Sequence, residues 1–276
     1  MPLTRIPVTR PLLALVAVLL GIALLRATEV PRGARAYIPD HAVLPAIGQQ
    51  GDSVRIENVR AFRYAGDTAI ERTYVTRTHD LRDVRAVWYV LSPFASWRGP
   101  AHAFLSFEFA DSTYLSVSVE ARRERGEVFS PVGGLLRRYE LQYVIGEEAD
   151  VIGLRTNVWQ DPVYLYPTTA TPEQARRLLE RVLRRAEGLR ERPEYYHTLT
   201  NNCATNLADA LNAMSAGRAP WHVALVLPGF SDDYAWRRGL LALSGPPARE
   251  RERYRINERA RRSSPEGFSR TIRAGL

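Results

Sequence analysis

The chain has 276 residues, enough for one large domain or two small ones, with a formal net charge of +8 and a pI near 9.9. All 38 of its lysine or arginine positions are arginine, which excludes lysine chemistry such as Schiff bases and Ser-Lys dyads. Its single cysteine excludes an intrachain disulfide and a multi-cysteine zinc site. The positive charge favours an anionic environment, such as phospholipid head groups or nucleic acid.

The first 27 residues contain an apolar run at 11–25, between Arg10 and Arg26. A spanning helix needs about 20 residues, a length that 8–27 reaches if both arginines extend to the interface. We predict that 1–27 is a membrane anchor or signal sequence. A good cleavage site is missing, which favours an inner-membrane anchor with a periplasmic body over a cleaved signal and a periplasmic protein. Residues 28–51, with three prolines, are predicted to be a linker, and 52–276 a single domain.

The first half of that domain has mainly strand patterns. Residues 102–109 and 114–120 alternate apolar and polar side chains on either side of the turn Asp111-Ser112, which predicts an antiparallel hairpin. Further strands are predicted at 84–91, 139–145, 151–155 and 163–166.

The second half is mainly helical. Thr171 as N-cap, Pro172 at the first position and Gln174 three residues after the cap predict a helix that ends at about Glu191, before Pro193. A second helix is predicted to begin at Cys203 and to continue to about residue 214. Residues 249–262, rich in arginine and glutamate, are predicted to be helical.

Cys203 is either a buried small side chain or a nucleophile. Thr200, Asn201 and Asn202 are capping residues, so the thiol is predicted in the first helical turn, where backbone N–H groups are unpaired. Such groups favour the thiolate and can stabilise an oxyanion. The residues before the thiol, Tyr196, His197 and Asn202, are candidates for substrate binding.

A thiol nucleophile needs a base, and the base needs an orienting partner. His102 opens the first strand of the hairpin and is the predicted base, while a structural role is the alternative. Ser118 and Glu120 on the second strand are the candidates that orient it. A salt bridge from Glu120 to Arg122 or Arg137 is the alternative for that carboxylate.

This arrangement resembles the papain-like thiol enzymes: a helix-start cysteine packed on a sheet, with a strand histidine facing it. Because the histidine comes first, it is similar to the permuted NlpC-type branch that includes the lecithin:retinol acyltransferases. The resemblance implies an α+β fold with an antiparallel sheet, on which the cysteine helix packs, preceded by one N-terminal hydrophobic helix.

A set of short segments between 52 and 276 also resembles the Lnb N-terminal periplasmic domain family. They include Asn58-Val59-Arg60, Ala101-His102-Ala103-Phe104, Thr200-Asn201-Asn202-Cys203 and the segments 78–81, 118–124, 138–144, 227–229, 256–260 and 268–273. The family is named after a lipoprotein intramolecular transacylase, an integral membrane enzyme that moves an acyl chain through a Cys–His pair. The resemblance implies that Cys203 accepts the acyl group and that His102 is the base.

We therefore expect a membrane-anchored, exported acyl-transfer enzyme that acts on phospholipid or lipoprotein through a thioester. Two alternatives remain: a cell-wall peptidase or amidase that uses the same pair, and a non-catalytic envelope protein that binds anionic lipid or a partner. No metal, cofactor or nucleic-acid partner is expected, and the sequence does not indicate an oligomeric state.

Overall fold

The computed structural model describes residues 13–14, 17–18, 21, 30–65, 68–212 and 220–276. They form a mixed α+β fold, in agreement with the predicted class. Most of the predicted anchor, 1–27, lies outside the described residues. Within the described part of the chain, no helix has both the length and the apolar composition of a membrane span. No long apolar N-terminal helix is therefore seen there.

One mostly antiparallel sheet carries the fold, and the described residues contribute eight strands to it. Its order is β1-β2-β9-β8-β7-β6-β10, with β5 paired to β2 off this path, while β3 and β4 form a separate hairpin. The bounds are β1 Ala46–Gln50, β2 Ser53–Arg60, β3 Arg63–Ala65, β4 Thr68–Glu71, β5 Tyr74–Asp80, β6 Val84–Pro93, β7 Ala101–Phe109, β8 Tyr114–Arg122, β9 Glu140–Gly146 and β10 Tyr164–Pro167.

The helices of the described residues cover both faces of this sheet. Their bounds are α1 Pro131–Leu135, α2 Glu148–Gly153, α3 Pro172–Glu191, α4 Cys203–Asn212, α5 Ser231–Arg237, α6 Pro247–Glu250, α7 Asn257–Arg261 and α8 Phe268–Arg273. A π-helical turn, Leu154–Val158, continues α2. Residues 213–219, which include the predicted end of the cysteine helix near 214, lie outside the described ranges.

One face of the sheet packs against α3 and α4. The capping box at Thr171 and Gln174 starts α3, and the helix has the bounds that the sequence predicts. Its apolar stripe, Leu178 and Leu179 among others, is buried against sheet residues such as Leu105. The other face packs against α2, α7 and α8 around Phe104. The sheet is therefore the middle of three layers.

The hairpin strands β7 and β8 separate at one end. Their ladder runs from Glu108↔Tyr114 to Leu105↔Val117 and stops there. Beyond that point β7 stays paired with β6 as far as Ala101, and β8 stays paired with β9 as far as Arg122. The split leaves the edges of two strands open toward each other, and α4 begins beside it.

Three predictions about elements are wrong. Residues 151–155 form helix and π-turn instead of a strand, because Asp150 and Glu148 of α2 are bound by distant arginines. The predicted linker belongs to the folded body from Tyr37 onward, since that ring is buried and β1 joins the sheet. The predicted helix 249–262 is divided into α6, a 3-10 turn and α7.

Buried carboxylates are each matched by arginine. Arg60 binds Asp150 through two hydrogen bonds of 2.8 and 2.9 Å, and Arg273 binds Glu148 through two of 2.6 and 2.7 Å. Both carboxylates are fully buried. The planar guanidinium gives two parallel donors to one carboxylate, which an ammonium group does not offer.

Candidate active site

The thiol lies where the sequence predicts, at the first residue of α4. Asn202 caps this helix, because its Oδ1 accepts a hydrogen bond of 2.9 Å from the backbone N–H of Thr205. Two backbone N–H groups, of Ala103 and Ala204, interact with the sulfur. The N–H of Ala103 is free to do so because β7 and β8 have separated at this point.

Cys203 opens into a cavity of about 250 Å³ at the split between β7 and β8. His102 of β7 and Glu120 of β8 line the same cavity. The remaining lining residues are His41, Phe94, Ala101, Val119, Ala121, Arg123, Phe129, Arg155, Trp159, Asp161 and Tyr196. Thiol, imidazole and carboxylate therefore share one enclosed space, although they come from elements far apart in the chain.

A chain of hydrogen bonds runs from Glu120 to His102. The Ser118 hydroxyl donates to Oε1 of Glu120 at 2.9 Å, and Ser118 Oγ lies 2.7 Å from Nε2 of His102. Because the hydroxyl proton already points to the carboxylate, Ser118 accepts from His102, and Nε2 carries the imidazole proton. Nδ1 is then the unprotonated nitrogen, which is the form that a general base requires.

Arg155 keeps Glu120 ionised. Burial raises the pKa of this carboxyl, but Arg155 and nearby histidines outweigh burial and hold the pKa well below its ordinary value. Arg155 donates from Nη2 to Oε1 at 2.8 Å, and its own pKa is lowered by burial. Neither predicted alternative partner holds Glu120; the guanidinium of Arg122 binds the backbone carbonyl of His41 instead.

His102 is neutral in this structure. Burial, together with the positive charge of Arg155, lowers the pKa of His102 from 6.5 to about 3, although Glu120 acts in the opposite direction. Oε1 of Glu120 is 3.9 Å from Nε2, so the carboxylate acts on the ring mainly through Ser118.

Burial also has the largest influence on the pKa of the Cys203 thiol. The helix start predicts a lowered pKa for Cys203, but burial raises it above the ordinary value, and the two backbone N–H groups offset burial only in part. The helix start, which alone favours the thiolate, is therefore opposed here by burial. The thiol and the imidazole are both uncharged before any substrate binds, because a buried ion pair costs more than two neutral groups.

The three predicted substrate-binding residues have different surroundings. Tyr196 lines the cavity, and its ring packs edge-on against Phe129 at 5.8 Å. Asn202 does not line it: its Nδ2 donates to the backbone carbonyls of Thr198 and Leu225, so it anchors two loops. His197 closes the turn before α4 through its contact with Thr200 and also lies off the cavity.

Sequence reasoning missed Arg155 and His41. Arg155 lies in the π-turn that was predicted as a strand end, and π-turns are frequent at functional sites. His41 lies in the supposed linker, with Nε2 3.9 Å from Oε2 of Glu120 and Nδ1 accepting from the backbone of Arg123. Burial lowers the pKa of His41 to about 4. Neither contact leaves a local signal in the sequence.

Residues 71–229, more than half of the chain, match the model of the Lnb N-terminal periplasmic domain. The chain belongs to that family. The matched region contains Cys203, His102 and the Ser118–Glu120 pair, and it ends at Gly229. No curated protein and no solved structure gives a significant match. This chain is thus an Lnb-type periplasmic domain whose matched region spans the cavity from β7 to α4.

Proposed function

We propose that this Lnb-type domain is a cysteine-dependent acyl-transfer enzyme that acts on lipid or lipoprotein in the cell envelope. The observation that carries the proposal is the shared cavity, which is lined both by a helix-start thiol and by a neutral histidine held by Ser118 and Glu120. A plain structural cysteine needs none of these polar neighbours. The three-layer arrangement supports a papain-like fold of the permuted NlpC type, with the histidine strand before the cysteine helix.

In the first half-reaction, Nδ1 of His102 accepts the thiol proton while Sγ of Cys203 bonds to the ester carbonyl carbon. Backbone N–H groups at the start of α4, including that of Cys203, hold the oxyanion. The C–O bond then breaks, and the imidazolium gives its proton to the leaving alkoxide. The product is a thioester on Cys203.

In the second half-reaction, His102 removes a proton from the acceptor, an amine or water, which attacks the thioester carbonyl. The C–S bond breaks, and the sulfur takes back the proton from the imidazolium. Glu120 stabilises the transient imidazolium through Ser118, as a buried carboxylate does in related triads. The thiol of Cys203 and the imidazole of His102 are both uncharged before the reaction. Charge therefore develops on them only in the transition state, where the backbone N–H dipoles and Glu120 stabilise it.

An apolar cavity favours a lipid substrate over a peptide. A second space, of about 450 Å³, lies along α4 and is lined by Ala204, Leu207 and Leu211 of the helix and by Leu105 of β7. Ala204 follows the thiol directly, so the space begins one residue from the nucleophile. A hydrocarbon chain gains from leaving water for such a lining, whereas a hydrophilic peptide does not.

We also propose that the N-terminal segment at 8–27 anchors the domain in the inner membrane, with the body in the periplasm. The apolar run at 11–25 and the flanking arginines support this. Fractionation of the full chain with membranes after a carbonate wash tests it; a mature protein that starts near residue 28 in the soluble fraction overturns it.

The activity is tested by incubating wild-type and Cys203→Ala protein with labelled diacyl lipid and, separately, with peptidoglycan fragments. We expect a labelled adduct that hydroxylamine releases, because thioesters are cleaved by it, and no adduct in the variant. Thr76→Ala, at an exposed position of β5 that does not line the cavity, is the control. Cysteine-dependent release of peptides without an acyl adduct overturns the lipid proposal in favour of the peptidase.

A further inference from the structure

Large apolar side chains are exposed in the loops around the mouth of the active-site cavity. Phe94 and Trp159 line the cavity itself and are 50% and 48% exposed. Trp97, in the loop that joins β6 to β7, is 54% exposed. We define the apolar rim as Phe94, Trp97, Val128, Val132, Trp159 and Leu199, all of which are exposed.

The loops that carry the rim are tied together at the cavity. The segment with Val128 and Val132 also contains Phe129, which lines the cavity. Thr198 donates to the carbonyl of Pro131 at 2.7 Å, which joins that segment to the loop of Leu199. The rim is therefore one end of the molecule rather than a set of scattered side chains, which would need no explanation.

Unpaired positive charge lies in the same place. Arg123 lines the cavity, and Arg125, two residues further along the chain, is exposed. Within the described residues, neither guanidinium takes part in an ion pair or a side-chain hydrogen bond, since the nearby acids Glu124 and Glu127 are bound by Arg35 and Arg138. The apolar rim is thus accompanied by cationic groups that pair with no acidic group in the described part of the chain.

We propose that the apolar rim docks on the surface of an anionic phospholipid bilayer. Aromatic rings prefer the boundary between head groups and acyl chains, and arginines near an anionic surface are attracted to it. A protein partner with an apolar face would offer no negative charge to Arg123 and Arg125, whereas an anionic bilayer does. Docking by this end turns the mouth of the thiol cavity toward the lipid ester groups.

Docking sets the orientation of the domain on the bilayer and does not require the thiol. It complements the proposed acyl transfer by naming the face on which the substrate arrives. A Cys203→Ala chain therefore docks like the wild type while it forms no thioester, so failure of docking and failure of chemistry are separate results.

The test is quenching of tryptophan fluorescence by brominated acyl chains, with the full chain reconstituted in vesicles of anionic phosphatidylglycerol or of phosphatidylcholine. An N-terminal tether alone holds the body near the membrane but does not bring tryptophan to acyl-chain depth. We expect quenching in the anionic vesicles that weakens at high salt. It should be lost in Trp97→Phe/Trp159→Phe and kept in the control Trp236→Phe, which removes a half-buried ring outside the rim.

A second probe checks orientation. Arg85 is exposed near the start of β6, about 30 Å along the strand from Phe94. Arg85→Trp, introduced into the double phenylalanine variant, should restore fluorescence but not quenching. Absence of quenching in the wild type, or equal quenching at position 85, overturns the proposal. Protection of Trp97 and Trp159 from iodide without lipid quenching also overturns it and points to a protein partner.

Discussion

Two carboxylates that pair with arginine, the buried Asp150 and the partly buried Glu120, are held in different ways. Asp150 accepts four hydrogen bonds, two from Arg60 and one each from the backbone of Phe62 and the hydroxyl of Tyr64. Both of its oxygens are used. Glu120 accepts from Arg155 and Ser118 on Oε1 alone, and within the described residues no hydrogen bond reaches Oε2.

We infer that the difference separates a structural ion pair from one that serves the proposed reaction. Because both oxygens of Asp150 already accept hydrogen bonds, this carboxylate cannot form a further bond when a neighbouring group gains a proton. Its contact with Arg60 fixes α2 to the end of β2. Glu120 faces two imidazoles, His102 and His41, each 3.9 Å from one of its oxygens. It can therefore strengthen its interaction with an imidazolium as that charge develops.

The largest expected effect is on stability, at the saturated pair. Asp150→Ala leaves Arg60 buried without its counter-charge, which should lower the free energy of unfolding by about 3–5 kcal/mol. Urea denaturation at pH 7 measures it. Asp80→Ala, which removes an exposed pair with Arg82, is the matched control and should cost far less, because water screens that pair. Equal losses for both would contradict the comparison.

Glu120→Gln should act on the reaction. The amide still accepts from Ser118 but has no charge to stabilise the imidazolium, so the rate of thioester formation should fall about a hundredfold. Single-turnover labelling with diacyl lipid measures the rate, and circular dichroism checks that the variant is folded. Wild-type rates in a folded variant would remove Glu120 from the proposed mechanism.

Ser118→Ala should have a smaller effect, since it breaks the link but leaves the carboxylate in place. We expect a rate about tenfold lower, equivalent to about 1.4 kcal/mol. Ser116→Ala is the matched control, because Ser116 is a fully buried serine of the same strand whose hydroxyl has no partner within the described residues. A control variant that loses as much activity would show that the effect is only structural.

The last expected effect is on the pH dependence of stability. His41 takes up a proton near pH 6.5 in the unfolded chain but only near 4 in the native chain, because burial lowers its pKa. Stability is therefore full above pH 6.5 and is lost as the pH falls toward 4, by up to about 1.4 kcal/mol per pH unit. His41→Gln should remove that part of the slope in urea denaturation between pH 6.5 and 4.5; an unchanged slope would contradict it.

Local signals predicted the elements that local interactions define. The capping box of α3, the start of α4 at Cys203 and the alternating strands β7 and β8 all depend on residues a few positions apart. The same patterns brought His102, Ser118 and Glu120 to one hairpin end. The catalytic roles of these residues remain predictions.

Distant contacts decided what the sequence could not predict. Residues 151–155 resemble a strand because Val151 and Ile152 are β-branched. The carboxylates of α2, however, are bound by Arg60 and Arg273 from far along the chain. Arg155 was missed for that reason. The raised pKa of Cys203 likewise depends on how deeply the tertiary fold buries it, which outweighs the local helix start.

The donor that Ala103 offers to the sulfur is a backbone N–H, which is available because the ladder between β7 and β8 has ended before this residue. Such a donor is insensitive to most substitutions, because nineteen of the twenty coded residues have a backbone N–H and only proline lacks it. Side-chain drift at position 103 therefore changes the packing around the thiol without changing the polar contact itself. Substitution scans that look for function through loss of side chains will pass over this position, and a proline scan or backbone ester replacement is the method that detects it.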